Sequence, residues 1–216
     1  MRFAIFDLDG TLVDSMEYWR GFPKAFLEEK GYTPTSEIER IGKVNWIKWL
    51  CTYFKDEYGL ITTPKEVNDW AVAYVMKQYN TIVPFKSGAK EMLEKLYNEG
   101  VQMCICSSTD RYMMEGVLKR LDMLKYFKFT EHCRQFGKEK DEPMIFHHCM
   151  EKLGAKSPQE VAVFEDAFYS ASTAKSEGFY LVGMYDKTEP KQAELKALAD
   201  QYVSSYEGLD YSKLPK

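Results

Sequence analysis

The sequence predicts an α/β fold: a parallel sheet core with helices on both faces, and an α-helical bundle inserted after the first strand. Three observations predict it. Short apolar runs at 3–6, 101–106 and 161–164 each end in polar or acidic residues, as strands buried on both faces do. From Pro84 onward such runs alternate with helical segments punctuated by glycine, which argues for a parallel sheet. Between the first strand and that alternation lies a stretch, 15–83, with no convincing strand and all four tryptophans (Trp19, Trp46, Trp49, Trp70). Residues 1–14 and 84–216 therefore make the core, and 15–83 make the insertion.

The elements follow in order. Asp14 with Glu17 three residues later is a helix-start signature, opening a helix over 15–30 that Gly31 ends. Trp46, Trp49, Leu50, Tyr53 and Phe54 fall on one helical face. Thr63-Pro64-Lys65-Glu66 joins a cap, a first-position proline and a Glu, and opens a helix faced by Val67, Trp70, Ala71, Tyr74 and Val75. Then come helix 87–98, strand 101–106, helix 111–121, strand 128–133, helix 142–153 and strand 161–164. Helix 167–177, strand 179–184, helix 191–200 and a short strand at 202–204 close the chain.

The bulk properties narrow the class. The 216 residues are 45% hydrophobic and 29% charged with a net charge of −4, a globular composition without the basic footprint of a nucleic-acid binder. No run of about 18 apolar residues reads as a membrane span, and the chain enters a strand at once without a leader-like segment. Five cysteines, an odd number without scaffold spacing, suit a reducing cytoplasm. Cys104 and Cys106 share a strand face and read as small core residues. His132, His147 and His148 lack metal-ligand spacing.

The chemistry gathers at strand ends. Asp7 and Asp9 follow the first strand, Ser107 and Ser108 the second, and Glu165 with Asp166 the one at 161–164. All strand C-termini of a parallel sheet lie on one edge, so these residues converge in one crevice. Carboxylates so placed repel unless a cation joins them, and oxygen ligands at a semi-open site suit Mg²⁺. A lysine is the expected counterpart beside a transferring anionic group.

Asp7-Leu8-Asp9-Gly10-Thr11-Leu12 resembles the first signature motif of the haloacid dehalogenase-like (HAD) hydrolases, and the later motifs follow in the order that family keeps. Lys140-Asp141-Glu142-Pro143-Met144-Ile145-Phe146 keeps the lysine, second proline and phenylalanine of the family's lysine motif but has Asp141 for its first proline; Lys138 is the rival. The resemblance implies a Rossmann-like core with a helical cap, of the β-phosphoglucomutase/phosphatase-like kind. It implies that Asp7 is the nucleophile forming an aspartyl-phosphate and Asp9 the general acid and base. Ser107, Ser108 and Lys140 would bind phosphate. Asp7, Asp9, Glu165 and Asp166 would hold Mg²⁺.

The implied activity is hydrolysis of a small phosphorylated metabolite, with substrate contacts from Trp19, Arg20, Lys43 or Trp46 in the cap. Where mutases of the family carry a cap histidine this chain has Trp19, and the stretch from Gly42 to Asn45 lacks their arginine, so a mutase is the second reading. Asp9 argues against a dehalogenase, Lys24 is a conceivable cap lysine for a phosphonate hydrolase but reads more simply as solvated, and the intact set argues against a non-catalytic binding module. After Glu165-Asp166 many relatives have Ser-x-x-Gly; here Ala167-Phe168-Tyr169-Ser170 stands there. That change is expected to alter rate or fit without touching a group of the site.

Overall fold

The computed structural model describes residues 1–35, 38, 46–137 and 139–216, apart from the side chains of Trp46 and Arg134. Lys43, Lys138, the loop 42–45 and the Trp46 side chain, all singled out above, lie outside what is described.

Six parallel strands, β1 (Phe3–Phe6), β2 (Gln102–Ser107), β3 (Phe129–His132), β4 (Val161–Glu165), β5 (Tyr180–Met184) and β6 (Gln201–Val203), form one sheet in the order β3-β2-β1-β4-β5-β6. The chain winds from β1 outward to β3, then crosses back to the other side of β1 and winds outward to β6. Ala4 is in register with Met103 on one side and Ala162 on the other. This order puts a topological switch at the carboxyl end of β1, where doubly wound sheets open a crevice. The strand is buried along its whole length, and Phe6 stacks on Phe164 at 4.3 Å between ring centroids.

The helices of this unit are α4 (Ala89–Asn98), α5 (Arg111–Arg120), α6 (Met144–Leu153), α7 (Phe168–Ser176) and α8 (Gln192–Leu198). Observed ends sit within about two residues of the expected ones, the usual fraying uncertainty. Gly100 and Gly154 follow helices with positive φ (77° and 94°), as end residues of that type do. Cys104, Cys106, Cys133 and Cys149 are all buried in the core cluster beneath α6, together with Ile5, Phe146 and Val163. No disulfide forms among the five cysteines.

Residues Met1–Asp14 and Val83–Lys216 form one compact unit and Ser15–Ile82 another. The two strands of chain at the edge of the first unit are zipped together: Val13 bridges Phe85 antiparallel, Asp14 N–H donates to Pro84 O, and Lys86 N–H donates to Leu12 O. Lys86 Nζ fastens them further, at 2.7 Å from Asp186 and 3.2 Å from Asp14. Asp14 was expected to cap the first helix. Ser15 takes that position instead, because Asp14 is drawn to Lys86.

The second unit contains α1 (Met16–Glu29), α2 (Trp46–Tyr58) and α3 (Pro64–Thr81). Its core is Phe22, Phe26, Leu27, Leu50, Phe54, Val67 and Ala71. Phe26 stacks on Phe54 and meets Trp70 edge-on. Each such ring is worth roughly 1.5–3 kcal/mol on full burial; Leu50, Tyr53 and Phe54 pack in this core, whereas Trp49 is exposed. The Thr63 hydroxyl accepts from Glu66 N–H, the expected cap. No helix among the described residues is long and apolar enough to cross a membrane.

Candidate active site

Asp7 is the first residue past β1, and its backbone N–H still pairs with Phe164 O. The chain then turns back on itself: Leu12 and Val13 N–H both donate to Leu8 O, and Gly10 N–H to Val13 O. Gly10 holds φ at 82°, a backbone conformation glycine adopts without cost. This turn keeps Asp7 at the sheet edge and sends Thr11 toward β4. The Thr11 hydroxyl donates to Asp166 Oδ1 at 2.9 Å, and the Thr11 carbonyl accepts from the buried Tyr206 hydroxyl at 3.0 Å.

β4 ends in Glu165, and Asp166 follows it; both are buried. One oxygen from each of Asp7, Glu165 and Asp166 lies within 4.8 Å of the others. Lys140, only 2% exposed, donates to Asp7 Oδ1 at 2.5 Å and also to Glu165 Oε1. The structure thus brings together the sequence-predicted Asp7, Lys140, Glu165 and Asp166. Lys140 lies between a 3₁₀ turn (Cys133–Phe136) and α6, and reaches the site across a wide sequence separation.

Asp9 Oδ2 accepts from the Thr109 hydroxyl at 2.6 Å. Ser107, at the end of β2 and buried, accepts from Thr109 N–H through its Oγ at 3.0 Å. Ser108 Oγ accepts from the Cys133 thiol at 3.4 Å. Thr109 therefore ties Asp9 to Ser107. Tyr169 lies at the same edge; the ring is half exposed, but its hydroxyl is desolvated and held up in pKa, with Lys140 pulling the other way.

The electrostatics of the cluster are one-sided. Burial pushes Asp7 up to about 8, opposed by Lys140 and reinforced by the charges of Glu165 and Asp9. Burial, then the charges of Asp7, Glu165 and Asp186, hold Asp166 well above the usual carboxylate range, although Thr11 favours its ionised form. Burial alone would lower Lys140, but Asp7 and Glu165 hold it well above the usual lysine range. The raised Asp7 and the raised Lys140 describe one fact from two sides. A single ammonium is fully retained, and it does not balance three buried carboxyls. The oxygen donors, their mutual distance and this surplus of negative charge fit a hard divalent cation.

In the helical unit, the Trp19 indole N–H donates to the Tyr79 hydroxyl at 3.0 Å. Arg20 Nε is buried with no hydrogen-bond partner among the described residues. Two of the three histidines hydrogen-bond to carboxylates, His147 to Glu177 and His148 to Glu131.

Sequence reasoning missed Thr11 and Thr109 as holders of Asp166 and Asp9, although both sit inside the motifs it singled out. It also expected the change at 167–170 to touch no group of the site. That is corrected here: the Ser170 hydroxyl donates to Glu165 Oε1 and the Ala167 N–H to Glu165 Oε2. Residue spacing does not show that α7 turns its first turn back onto Glu165.

Asp7, just past the central strand at the switch point of a doubly wound sheet, has the buried Lys140 held against it. A haloacid dehalogenase-like hydrolase family model matches residues 1–178, and the chain belongs to that family. It is an enzyme of the phosphatase kind. A phosphorylated carbohydrates phosphatase of Thermotoga maritima is 25% identical over 218 residues, covering 99% of both chains. A phosphoglycolate phosphatase of Aquifex aeolicus is 27% identical over 184 residues, 82% of each chain. Among solved structures, CbbY from Rhodobacter sphaeroides in complex with phosphate superposes with a TM-score of 0.78 at 14% identity and 99% coverage of both chains, a likeness of fold.

Proposed function

We propose that this chain hydrolyses a small phosphorylated metabolite, a sugar phosphate foremost, through an aspartyl-phosphate on Asp7, with Mg²⁺ as cofactor. The observation that carries this reading is the buried Lys140 ammonium held against Asp7 beside two further carboxylates. The Thermotoga relative, matched along its whole length, is by name a phosphatase of phosphorylated carbohydrates, which supports the substrate class.

In this reading an Asp7 carboxylate oxygen attacks phosphorus as the ester oxygen departs. Asp9 gives the leaving oxygen its proton, then takes one from the water that opens the aspartyl-phosphate. The Thr109 hydroxyl holds Asp9 Oδ2 in one orientation for both steps. Ser107 Oγ, already accepting from Thr109 N–H, donates a hydrogen bond from its hydroxyl to a phosphoryl oxygen, with Ser108 beside it. Lys140 offsets charge on the nucleophile and the transferring group. Asp7, Asp166 and Glu165, with the Asp9 carbonyl, would hold Mg²⁺, which supplies charge neutralisation to phosphoryl oxygens when bound. The helical unit is assigned the role of cap, choosing the substrate through Arg20, Trp19, Lys43 and Trp46.

The test is release of phosphate from p-nitrophenyl phosphate with and without Mg²⁺, followed by a panel of sugar phosphates. Mg²⁺-dependent turnover that Asp7→Asn abolishes supports the reading; no turnover across the panel refutes it. With β-glucose 1-phosphate, glucose 6-phosphate and phosphate are measured together, and formation of glucose 6-phosphate without phosphate would make the enzyme a mutase.

A further inference from the structure

Four aliphatic hydroxyls lie on α7. Ser172, Thr173 and Ser176 donate to carbonyls of their own helix, the ordinary habit of such residues. Ser170 does not. Fully buried, it turns back past the start of the helix and donates to Glu165 Oε1, the same oxygen that receives Lys140 Nζ. The other oxygen, Oε2, takes the Ala167 N–H at 3.2 Å.

This arrangement matters for the orientation of Glu165. The terminal torsion of a glutamate is broad and roughly two-fold, so one contact leaves the carboxylate plane free to turn. Contacts on both oxygens from the same helical turn fix that plane. Lys140 is then held between a fixed Glu165 and Asp7, with a long flexible stem that would otherwise let the ammonium wander. Where the family pattern would have glycine, which has no hydroxyl, this chain has the serine that supplies the contact.

We propose that Ser170 is a positioning residue for the reaction: by pinning Glu165 it sets where Lys140 stands against Asp7. The inference rests on the phosphatase reading of Lys140 given above. Ser170→Ala removes only the oxygen and raises helix propensity, so the variant is expected to fold.

The experiment measures kcat and KM for p-nitrophenyl phosphate with Mg²⁺ in wild type, Ser170→Ala, Glu165→Gln and the double variant. Ser170→Ala is expected to lower kcat by about 10–100-fold, the range for groups that orient a site residue. KM should stay within about twofold, because the lost contact acts on the transition state. The double variant should be no slower than Glu165→Gln alone, since Ser170 acts through that carboxylate. An unchanged kcat in Ser170→Ala, or losses that multiply in the double variant, would overturn the inference. Where the wild type itself turns nothing over, the phosphatase reading fails, and the crystal structure of Ser170→Ala decides. Displacement of Lys140 Nζ by about 1 Å, enough to misplace a catalytic group, supports positioning, and an unmoved Nζ refutes it.

Discussion

Replacing Lys140 by methionine removes one charge and keeps the stem, so its consequences follow from the cluster alone. Lys140 Nζ lies 2.5 Å from Asp7 Oδ1. With Asp7 ionised, at an effective dielectric of about 20 that pair attracts by about 7 kcal/mol, before the cost of desolvating both ions. Glu165 adds a second attraction on the other side. Desolvation offsets most of this while the cluster is intact. Once the ammonium is gone, the buried carboxyls keep their desolvation cost and lose their counter-charge, a net loss of about 3–5 kcal/mol. In a chain of this size that lowers the melting temperature by roughly 6–20 °C.

The loss must depend on pH. Asp7 is pushed up to about 8 by burial, and its protonation relieves the uncompensated charge, so Lys140→Met should cost least in acid and most in alkali. Urea unfolding from pH 5 to 9 reads the stability, and kcat for p-nitrophenyl phosphate reads the chemistry. The expected loss in kcat is about 10²–10³-fold, the value of one fixed charge at a developing anion. Lys138→Met serves as the comparison and should retain turnover. Wild-type kcat in Lys140→Met, or a loss in Lys138→Met that Lys140→Met does not show, would refute the assignment. A destabilisation that shrinks as pH rises would refute the electrostatic account.

Three further outcomes are expected. In metal-free protein Asp7 is raised from 3.8 to about 8, so its contribution to stability is full below pH ~4 and is lost as pH rises through about 8; Mg²⁺ replaces the missing proton. Calorimetric scans at 100 times the dissociation constant should therefore show Mg²⁺ stabilising by about 2.7 kcal/mol, and at fixed Mg²⁺ the rise in melting temperature should grow between pH 6 and 9; no dependence on Mg²⁺ at any pH would contradict the cation site. Thr109→Ala removes the hydroxyl that orients Asp9 and should lower kcat by about tenfold, the value of one hydrogen bond to a charged group, whereas Asp9→Asn should cost about 10²–10⁴-fold; equal losses would show that Asp9 has no role of its own. Asp186 is buried and held below the usual carboxylate range because Lys86, with Thr188, outweighs its burial, so Asp186→Asn should cost about 3 kcal/mol at neutral pH. Because that carboxyl is depressed, the difference between wild type and variant should shrink as pH falls through its folded pKa, and a gap that persists in strong acid would rule out the ion pair as its cause.

The sequence by itself determined most of the fold and the sheet edge on which the candidate residues gather. An apolar run such as Phe3–Phe6 has only a buried strand to become, and parallel strands put all their carboxyl ends on one edge. Asp7, Ser107, Glu165 and Asp166 therefore reach one edge of the sheet from topology alone. Lys140 needed the family pattern, because nothing about a lysine between a turn and a helix shows which carboxylate it will meet. Tertiary structure alone decided the contacts made at right angles to the chain. Thr11 on Asp166, Thr109 on Asp9 and Ser170 on Glu165 depend on where one turn faces another after packing, and hydroxyls carry no periodicity that announces a partner. The same limit moved Asp14 from a helix cap to backbone pairing with Pro84 and an ion pair with Lys86, partners that lie about seventy residues further along the chain.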